Sequence, residues 1–231
     1  MSQGVLIAAD RHCEWLLPWF FERYTACNSY SLAVVDLGMS HGAVTFCRDR
    51  AEVIPLQMDR IPPLSIQKQG WYKKPFAFLQ TPFDQTLWLD CDCEVLRPLD
   101  PLFQLEGEMH LAFDTENSHL KEIALGTIRE GEVLYNSGVV LYRKGSSIIK
   151  KWADQVLDQD RAFFSDQHVL SKLIQESKSR VGLLPDLYNW RMSQGFNIHA
   201  AIIHWAGSWG KEYIRKQGGI AHELAALPSI D

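Results

Sequence analysis

The chain has 231 residues, 46% of them hydrophobic, which is enough to bury one core, so a single domain over 1–231 is expected. A formal charge of −5 and the lack of a basic stripe argue against a nucleic-acid partner. No apolar run approaches the length of a bilayer span, which leaves only peripheral contact with a membrane open.

Residues 5–9 are apolar, have no basic residue before them and are cut off by Asp10 and Arg11, so they read as a core strand and not as a signal peptide. Five cysteines, an odd number without an export signal, point to reduced thiols and a cytoplasmic location. A helix is expected over 15–24, a strand over 31–36 that Leu37-Gly38 ends, and a short strand over 51–56. Pro62 and Pro63 exclude regular structure from 59–66. A helix over 70–80 and a turn over 81–84 lead into the strand 86–89. Another strand, 109–113, ends on Asp114 and is followed by an acidic, polar stretch over 115–132. Strand pattern resumes over 139–142, and Gly145 introduces a helix over 146–158. Ser165 is placed to cap a helix reaching 174, with Asp166 in its first turn. Strands over 180–184 and 201–204 and a closing helix over 220–227 complete the chain. Alternating strands and helices imply an α/β fold with a mixed central sheet flanked by helices.

The segment Thr86-Leu-Trp-Leu-Asp-Cys-Asp-Cys-Glu-Val95 carries the most chemistry. Its apolar start suits the middle of a covered sheet, and Asp90 and Asp92 stand where that strand leaves the core. Ligands of open α/β sheets bind beyond the carboxyl ends of the strands. Two close carboxylates repel each other unless a cation lies between them, and such hard oxygen ligands suit Mg²⁺ or Mn²⁺ with a phosphate-bearing substrate. Taken alone, an Asp-x-Asp pair is as often a turn as a metal site. Cys91 and Cys93 alternate with the acids and face the other way if strand geometry persists. Without a second Cys or His pair at ligand spacing they read as small buried hydrophobes.

Helix, turn, strand, acid pair and the following Leu96-Arg-Pro-Leu-Asp-Pro-Leu-Phe103 together resemble the centre of the nucleotide-diphospho-sugar glycosyltransferases of the GT-A fold. The resemblance is greatest to the family 8 group of galactosyltransferase and glycogenin-like enzymes. It implies a single Rossmann-like GT-A domain in which Asp90 and Asp92 hold Mn²⁺ or Mg²⁺ against the donor diphosphate. Later segments match the same family in order. Tyr135-Asn-Ser-Gly138 implies donor contacts from Asn136, Ser137 and Gly138, although Asn-Ser-Gly would also make a plain turn. Asp166 and Gln167 match a pair that lines the donor-sugar pocket, and are implied as the catalytic residues. An acid at 166 is also favoured by the helix dipole alone. His204 and Gly207 match a third motif, which implies His204 as a further metal ligand. Its lysine, Lys211, comes one residue late after Gly210, and Glu212-Tyr213 replaces the family's Pro-Trp.

Asp10 matches an acid that contacts the nucleotide, without the aromatic residue expected shortly after it. Either Lys73 or Lys74 matches a basic residue near the donor. Among Trp71, Trp190, Trp205 and Trp209, only Trp209 is retained as a candidate to stack on an acceptor sugar.

The implied activity is transfer of a hexose from a nucleotide-diphosphate sugar, UDP foremost, to a carbohydrate or other hydroxyl acceptor with retention. A haloacid-dehalogenase-type phosphohydrolase fits less well, since Cys93-Glu94 follows the acids and the pair lies mid-chain. A sugar nucleotidyltransferase would need a basic, glycine-rich loop where Ala9-Asp-Arg-His-Cys13 stands. The alternative from another class is a degenerate GT-A-fold protein that binds a nucleotide-sugar or a protein partner without turnover. Relieving like-charge repulsion, Asp92→Asn should leave the metal-free fold unharmed or firmer, and Gln167, unlike Asp166, should have no structural duty.

Overall fold

The computed structural model describes residues 1–60, 70–158, 165–177 and 180–221. Strands β1 (Gln3–Ala9), β2 (Ser31–Asp36), β3 (Glu52–Pro55), β4 (Gln85–Leu89), β6 (Met109–Phe113), β7 (Tyr135–Arg143) and β8 (Gly182–Leu183) form one sheet in the order β3-β2-β1-β4-β7-β6-β8. Strands β5 (Cys93–Val95) and β9 (Ile202–His204) pair separately. The described helices are α1 (Leu17–Thr25), α2 (His41–Arg48), α3 (Lys73–Leu79), α4 (Asp100–Phe103), α5 (Glu116–Ala124), α6 (Ser147–Asp158), α7 (Asp166–Ser177) and α8 (Gly207–Gln217).

Near-continuous apolar strands explain the layering, because both faces of β1, β2 and β4 are covered. Val5, Ile7, Val34, Leu87 and Leu89 pack with Leu17, Phe20 and Phe21 of α1. Their sequence neighbours Leu6, Ala8, Ala33, Val35 and Trp88 point to the opposite face, against Phe76 of α3, Trp152 of α6 and Leu170 of α7.

One reversal in the sheet positions the site. Strands β1 to β4 run parallel, whereas β7 is antiparallel to β4, with Leu89 opposite Val139. The amino end of β7 therefore lies beside the carboxyl end of β4, where Asp90 N–H donates to the Gly138 carbonyl at 2.8 Å.

The chain departs from the expected elements in four places. The strand stops at Leu89, a turn closed by Cys93 N–H to Asp90 O at 2.9 Å comes next, and the chain restarts as β5, so strand alternation does not continue through Cys91 and Cys93. Residues 135–138 are strand and not turn, with Tyr135 and Asn136 paired to Phe113 and Ala112 of β6 and the Gly138 carbonyl accepting from Asp90 N–H. The polar stretch after Asp114 contains α5, which Thr115 caps by accepting the Ser118 N–H; no residue of α5 is buried, so there was no apolar stripe to read. Helix α2, capped by Ser40, was likewise unsignalled. Residues 61–66, Phe164 and the 222–227 part of the expected closing helix lie outside the described residues, and the last described helix is α8.

Glu94 of β5 ties the end of the described chain to this core. It is fully buried, and its carboxylate accepts from the N–H groups of Ile220 and Ala221 and from Trp205 Nε1 at 2.9–3.0 Å. Gly219 is needed there, since a Cβ would overlap that carboxylate. Glu94→Ala strands these donors and is expected to cost about 3 kcal/mol, seen as a lower urea midpoint. A loss below about 1 kcal/mol would show that water takes the place of the carboxylate.

Candidate active site

The carboxyl end of β4 collects side chains from six elements. Lys74 of α3 places its Nζ 2.8 and 3.0 Å from the two oxygens of Asp90, 3.1 Å from Ser137 Oγ and 3.7 Å from Asp166 Oδ2. Burial alone would favour a neutral Lys74, but Asp90 and Asp166 hold its pKa above the ordinary lysine value. Trp88 Nε1 donates to Asp90 Oδ1 at 2.8 Å. Lys73 turns away and donates to the Leu37 carbonyl at 2.8 Å, so of the two lysines it is Lys74 that meets the acids.

Asp92 lies in the turn after β4. Lys211 Nζ is 2.5 Å from its Oδ2, and His204 Nε2 is 3.4 Å from its Oδ1. Asp90 Oδ2 is 3.8 Å from the same His204 nitrogen, so the three expected ligands meet at one ring atom. Burial opposes ionisation of Asp92, yet the His204 ring and the Lys211 ammonium hold its carboxyl far below the usual range. Burial weakens the Lys211 charge, and Asp92 more than restores it, raising that pKa.

The imidazole orientation results from a relay of donors. The Gly138 N–H donates to Asn136 Oδ1 at 2.9 Å, so that atom is an oxygen. Asn189 Nδ2 donates to the same oxygen at 3.0 Å, which turns Asn189 Oδ1 toward His204 Nδ1 at 3.1 Å. Nδ1 must therefore carry the proton. Nε2 faces two carboxylates, and a bare lone pair there is repelled, so a proton or a metal cation completes it. Gly138 makes this placement possible: a Cβ would sit 2.1 Å from His204 Cε1. What approaches the Gly138 backbone closely is thus the imidazole.

Cys93 shares this cluster, its sulfur lying within 4.8 Å of ligand atoms of Asp92 and His204. Burial and then the charges of Asp92 and Asp90 push its thiol well up, so it stays neutral and a poor ligand. The set with the right chemistry for a hard divalent cation is Asp90, Asp92 and His204.

Asp166 does more than favour a helix start. Its Oδ2 accepts from Ser137 Oγ at 2.7 Å and faces Lys74. Gln167, expected to be free of structural duty, is not: it accepts from Asn136 Nδ2 at 3.0 Å and donates to Asp114 Oδ2 at 2.9 Å. A position in a first helical turn says nothing about partners brought by β6 and β7. Asp10 closes a local turn, its Oδ1 accepting from the N–H groups of His12 and Cys13 at 2.8 and 3.1 Å. Burial would raise its carboxyl, but those donors hold it below the usual value. Gly207 opens α8 at a φ of 84° with no crowding around it.

Two cavities flank the cluster. One of about 160 Å³ is lined by Ala8, Cys13, Asp90, Asp92 and Lys211. The other, about 440 Å³, lies on the His204 side between Thr115, Arg191, Ser193 and Trp209. Trp209 is 62% exposed there, whereas Trp205 is core and donates to Glu94. Asn189, Arg191 and Asp114 were not singled out from sequence; they sit in irregular segments or at a strand end, where no spacing marks them.

The pairing of Asp92 reverses one expectation. In the metal-free protein Asp92 is held by two cationic or donor partners, so Asp92→Asn is expected to lower stability by about 1–3 kcal/mol at pH 7. The wild-type carboxyl titrates below the unfolded value of about 3.9, so its stabilisation is complete above that pH and is lost as pH falls through the depressed folded value. Urea melts at neutral pH and near the acid limit of folding should show the gap between variant and wild type closing. A variant as stable as wild type at pH 7 would return the site to one dominated by repulsion.

No protein-family model matches the sequence, and no curated protein is matched by it. Among solved structures the chain is similar to the galactosyltransferase LgtC in complex with donor and acceptor sugar analogs, at 16% identity and a TM-score of 0.69, over 99% of this chain and 97% of that one. It is also similar to the glycosyltransferase GlyE of Streptococcus pneumoniae TIGR4, at 18% identity and a TM-score of 0.64, over 98% of this chain and 61% of that one. Mouse xyloside xylosyltransferase 1 gives 13% identity and a TM-score of 0.57, over 88% of this chain and 97% of that one. The seven-stranded mixed sheet with its flanking helices is therefore the GT-A fold that these glycosyltransferases share.

Proposed function

We propose that the protein is a metal-dependent glycosyltransferase that moves a hexose from a UDP-sugar to a hydroxyl acceptor with retention at the anomeric carbon. The observation that carries this reading is the donor relay from the Gly138 N–H through Asn136 and Asn189, which leaves His204 Nε2 facing Asp90 and Asp92 without a proton of the neutral ring. That is the second-sphere arrangement of a metal-binding histidine. Asp90, Asp92 and His204 would hold Mn²⁺ or Mg²⁺, which supplies Lewis-acid stabilisation of the departing diphosphate.

The remaining chemistry belongs to the chain. Lys211 and Lys74 stand on either side of the acids and can turn their ammonium groups to phosphate oxygens. Ser137 Oγ, between Asp166 and Lys74, can turn its hydroxyl to the donor sugar, while Asn136 is taken up by the relay and by Gln167. Asp166 lies where it can stabilise positive charge developing on that sugar, and Gln167 beside it is uncharged and no base. An active-site Gln→Glu mutant is described for LgtC, so a glutamine belongs to the active site of that enzyme. Among the described residues, Asp90, Asp114 and Asp166 are each engaged by a cation or several donors. None is a free general base, which favours a mechanism in which the leaving phosphate takes the acceptor proton, and so favours retention.

Calorimetry tests the shared site. UDP should bind with Mn²⁺ and lose most of its affinity when a chelator is present; equal affinity in both conditions would refute the reading. Donor hydrolysis or transfer with a panel of nucleotide-sugars then separates an enzyme from a protein that only binds them.

A second test addresses the relay itself. Asn189→Leu removes the acceptor for Nδ1–H, and Gly138→Ala drives a methyl group into the ring. Each is expected to weaken Mn²⁺ binding by about 10–100-fold, measured by electron paramagnetic resonance titration. Unchanged Mn²⁺ affinity in both would remove His204 from the ligand set.

A further inference from the structure

The cavity beside His204 contains a cation that the donor half of the site does not use. Arg191 is only 7% exposed, and its Nη1 lies 3.2 Å from Asp114 Oδ1. Its Nε and Nη2 are buried without a hydrogen-bond partner among the described residues. Those two nitrogens form one edge of the guanidinium, with parallel N–H groups spaced to meet two oxygens of a carboxylate or phosphate. Buried donors left unmade are costly, and in this conformation both atoms are closed even to water, so the edge gains two hydrogen bonds when the side chain turns it to the cavity and meets an acceptor there.

Asp114 cannot supply it. Its Oδ1 already accepts the Thr115 N–H at 2.7 Å as well as Nη1, and its Oδ2 takes Gln167 Nε2 at 2.9 Å. No carboxylate lines the cavity among the described residues; hydroxyl groups of Thr115, Ser118 and Ser193 and the exposed Trp209 do. Hydroxyls and an aromatic face suit a saccharide, and although Asp114 balances the charge, the unpaired edge adds two parallel donors whose spacing matches a carboxylate or phosphate. The diphosphate of a donor has its own cations, Lys74 and Lys211, at the acid pair.

Resting on the transferase reading above, we propose that the acceptor is an anionic saccharide, with a carboxylate or phosphate close to the hydroxyl that receives the sugar, and that the Nε–Nη2 edge of Arg191 reads that anion. A neutral acceptor of the same shape leaves the edge buried and unpaired, which is how a polar site rejects an analogue that lacks the matching group.

The test compares methyl glucoside, methyl glucuronide and glucose 6-phosphate as acceptors, alike in ring and different in charge. With a UDP-hexose and Mn²⁺, at least one anionic sugar should exceed the neutral one by about tenfold or more in kcat/KM, and the two anionic arms tell carboxylate from phosphate. Arg191→Lys keeps the charge beside Asp114 but not the fork and should lose most of that preference; Arg191→Gln should abolish it. Both variants should bind UDP with Mn²⁺ as wild type does. Saturation-transfer NMR of the three sugars on the protein without donor measures the same preference independently of turnover. Failure of UDP to bind would count against the donor reading alone, because the NMR arm still reports on Arg191. Equal binding of the neutral and anionic sugars, no binding of either anion, or a preference that survives in Arg191→Gln overturns the assignment.

Discussion

The hydrogen bond from the Gly138 N–H to Asn136 Oδ1 is the constraint on which the rest of the site depends. A backbone donor cannot be exchanged for an acceptor, so it fixes the Asn136 amide, which fixes Asn189, which fixes the tautomer of His204. All three side chains are at least nine-tenths buried, where an unmade donor is costly and the relay is correspondingly rigid. The relay exists because β7 is reversed in an otherwise mainly parallel neighbourhood. That reversal sets the amino end of β7, with its Asn-Ser-Gly, beside Asp90, and brings the small residue opposite the ring that needs the space.

Charge then decides what the cluster accepts. Asp90, Asp92 and Asp166 face Lys74 and Lys211, so three carboxylates meet two ammonium groups, and the His204 ring stands where a third positive charge balances them. Buried ion pairs of this kind gain little over well-packed apolar side chains of the same volume, because desolvation offsets most of the attraction. Their presence in a cleft is better understood as preparation for a ligand that rearranges them. A cation with a diphosphate, as proposed above, would meet both demands, the carboxylates holding the metal and the lysines the phosphates.

The fold was legible where apolar residues repeat. The strands at 5–9, 31–36 and 86–89 and the helices at 15–24 and 146–158 all face a core, and their periods survive in the sequence. Helices α2 and α5 bury almost nothing and left only their caps, Ser40 and Thr115, as signals. The acids at 90 and 92 were legible because they follow one apolar strand, and the histidine at 204 because it ends another. Their partners were not. Asn189 acts through a contact 15 residues away in sequence, from an irregular segment, and Arg191 meets Asp114 across 77 residues. Neither spacing has a period, so only the packed chain reveals them. The contrast between Lys73 and Lys74 is of the same kind, since only the packed chain shows that the face of α3 toward β4 carries Lys74.

The late lysine and the missing Pro-Trp, which weighed toward a degenerate site, have a physical account in α8. One extra residue rotates every later side chain of a helix by about 100°, enough to turn it from a site to solvent. Here the extra residue is Gly210, and a Cβ at that position would sit 2.1 Å from the Trp205 carbonyl oxygen. The absent side chain lets α8 lie against the Trp205 backbone, and from that closer seat Lys211 reaches Asp92. A proline after Lys211 would have removed a helical N–H and ended or bent the helix. Glu212 and Tyr213 instead let α8 run on to Gln217, with Glu212 paired to Lys216 at 3.1 Å and Tyr213 stacked on Trp205 at a centroid distance of 4.5 Å. The same stacking places Trp209 on the cavity rim. The departures from the family pattern thus change how the helix is seated while leaving a cation on Asp92, and the altered seat shapes the wall of the cavity that Arg191 faces.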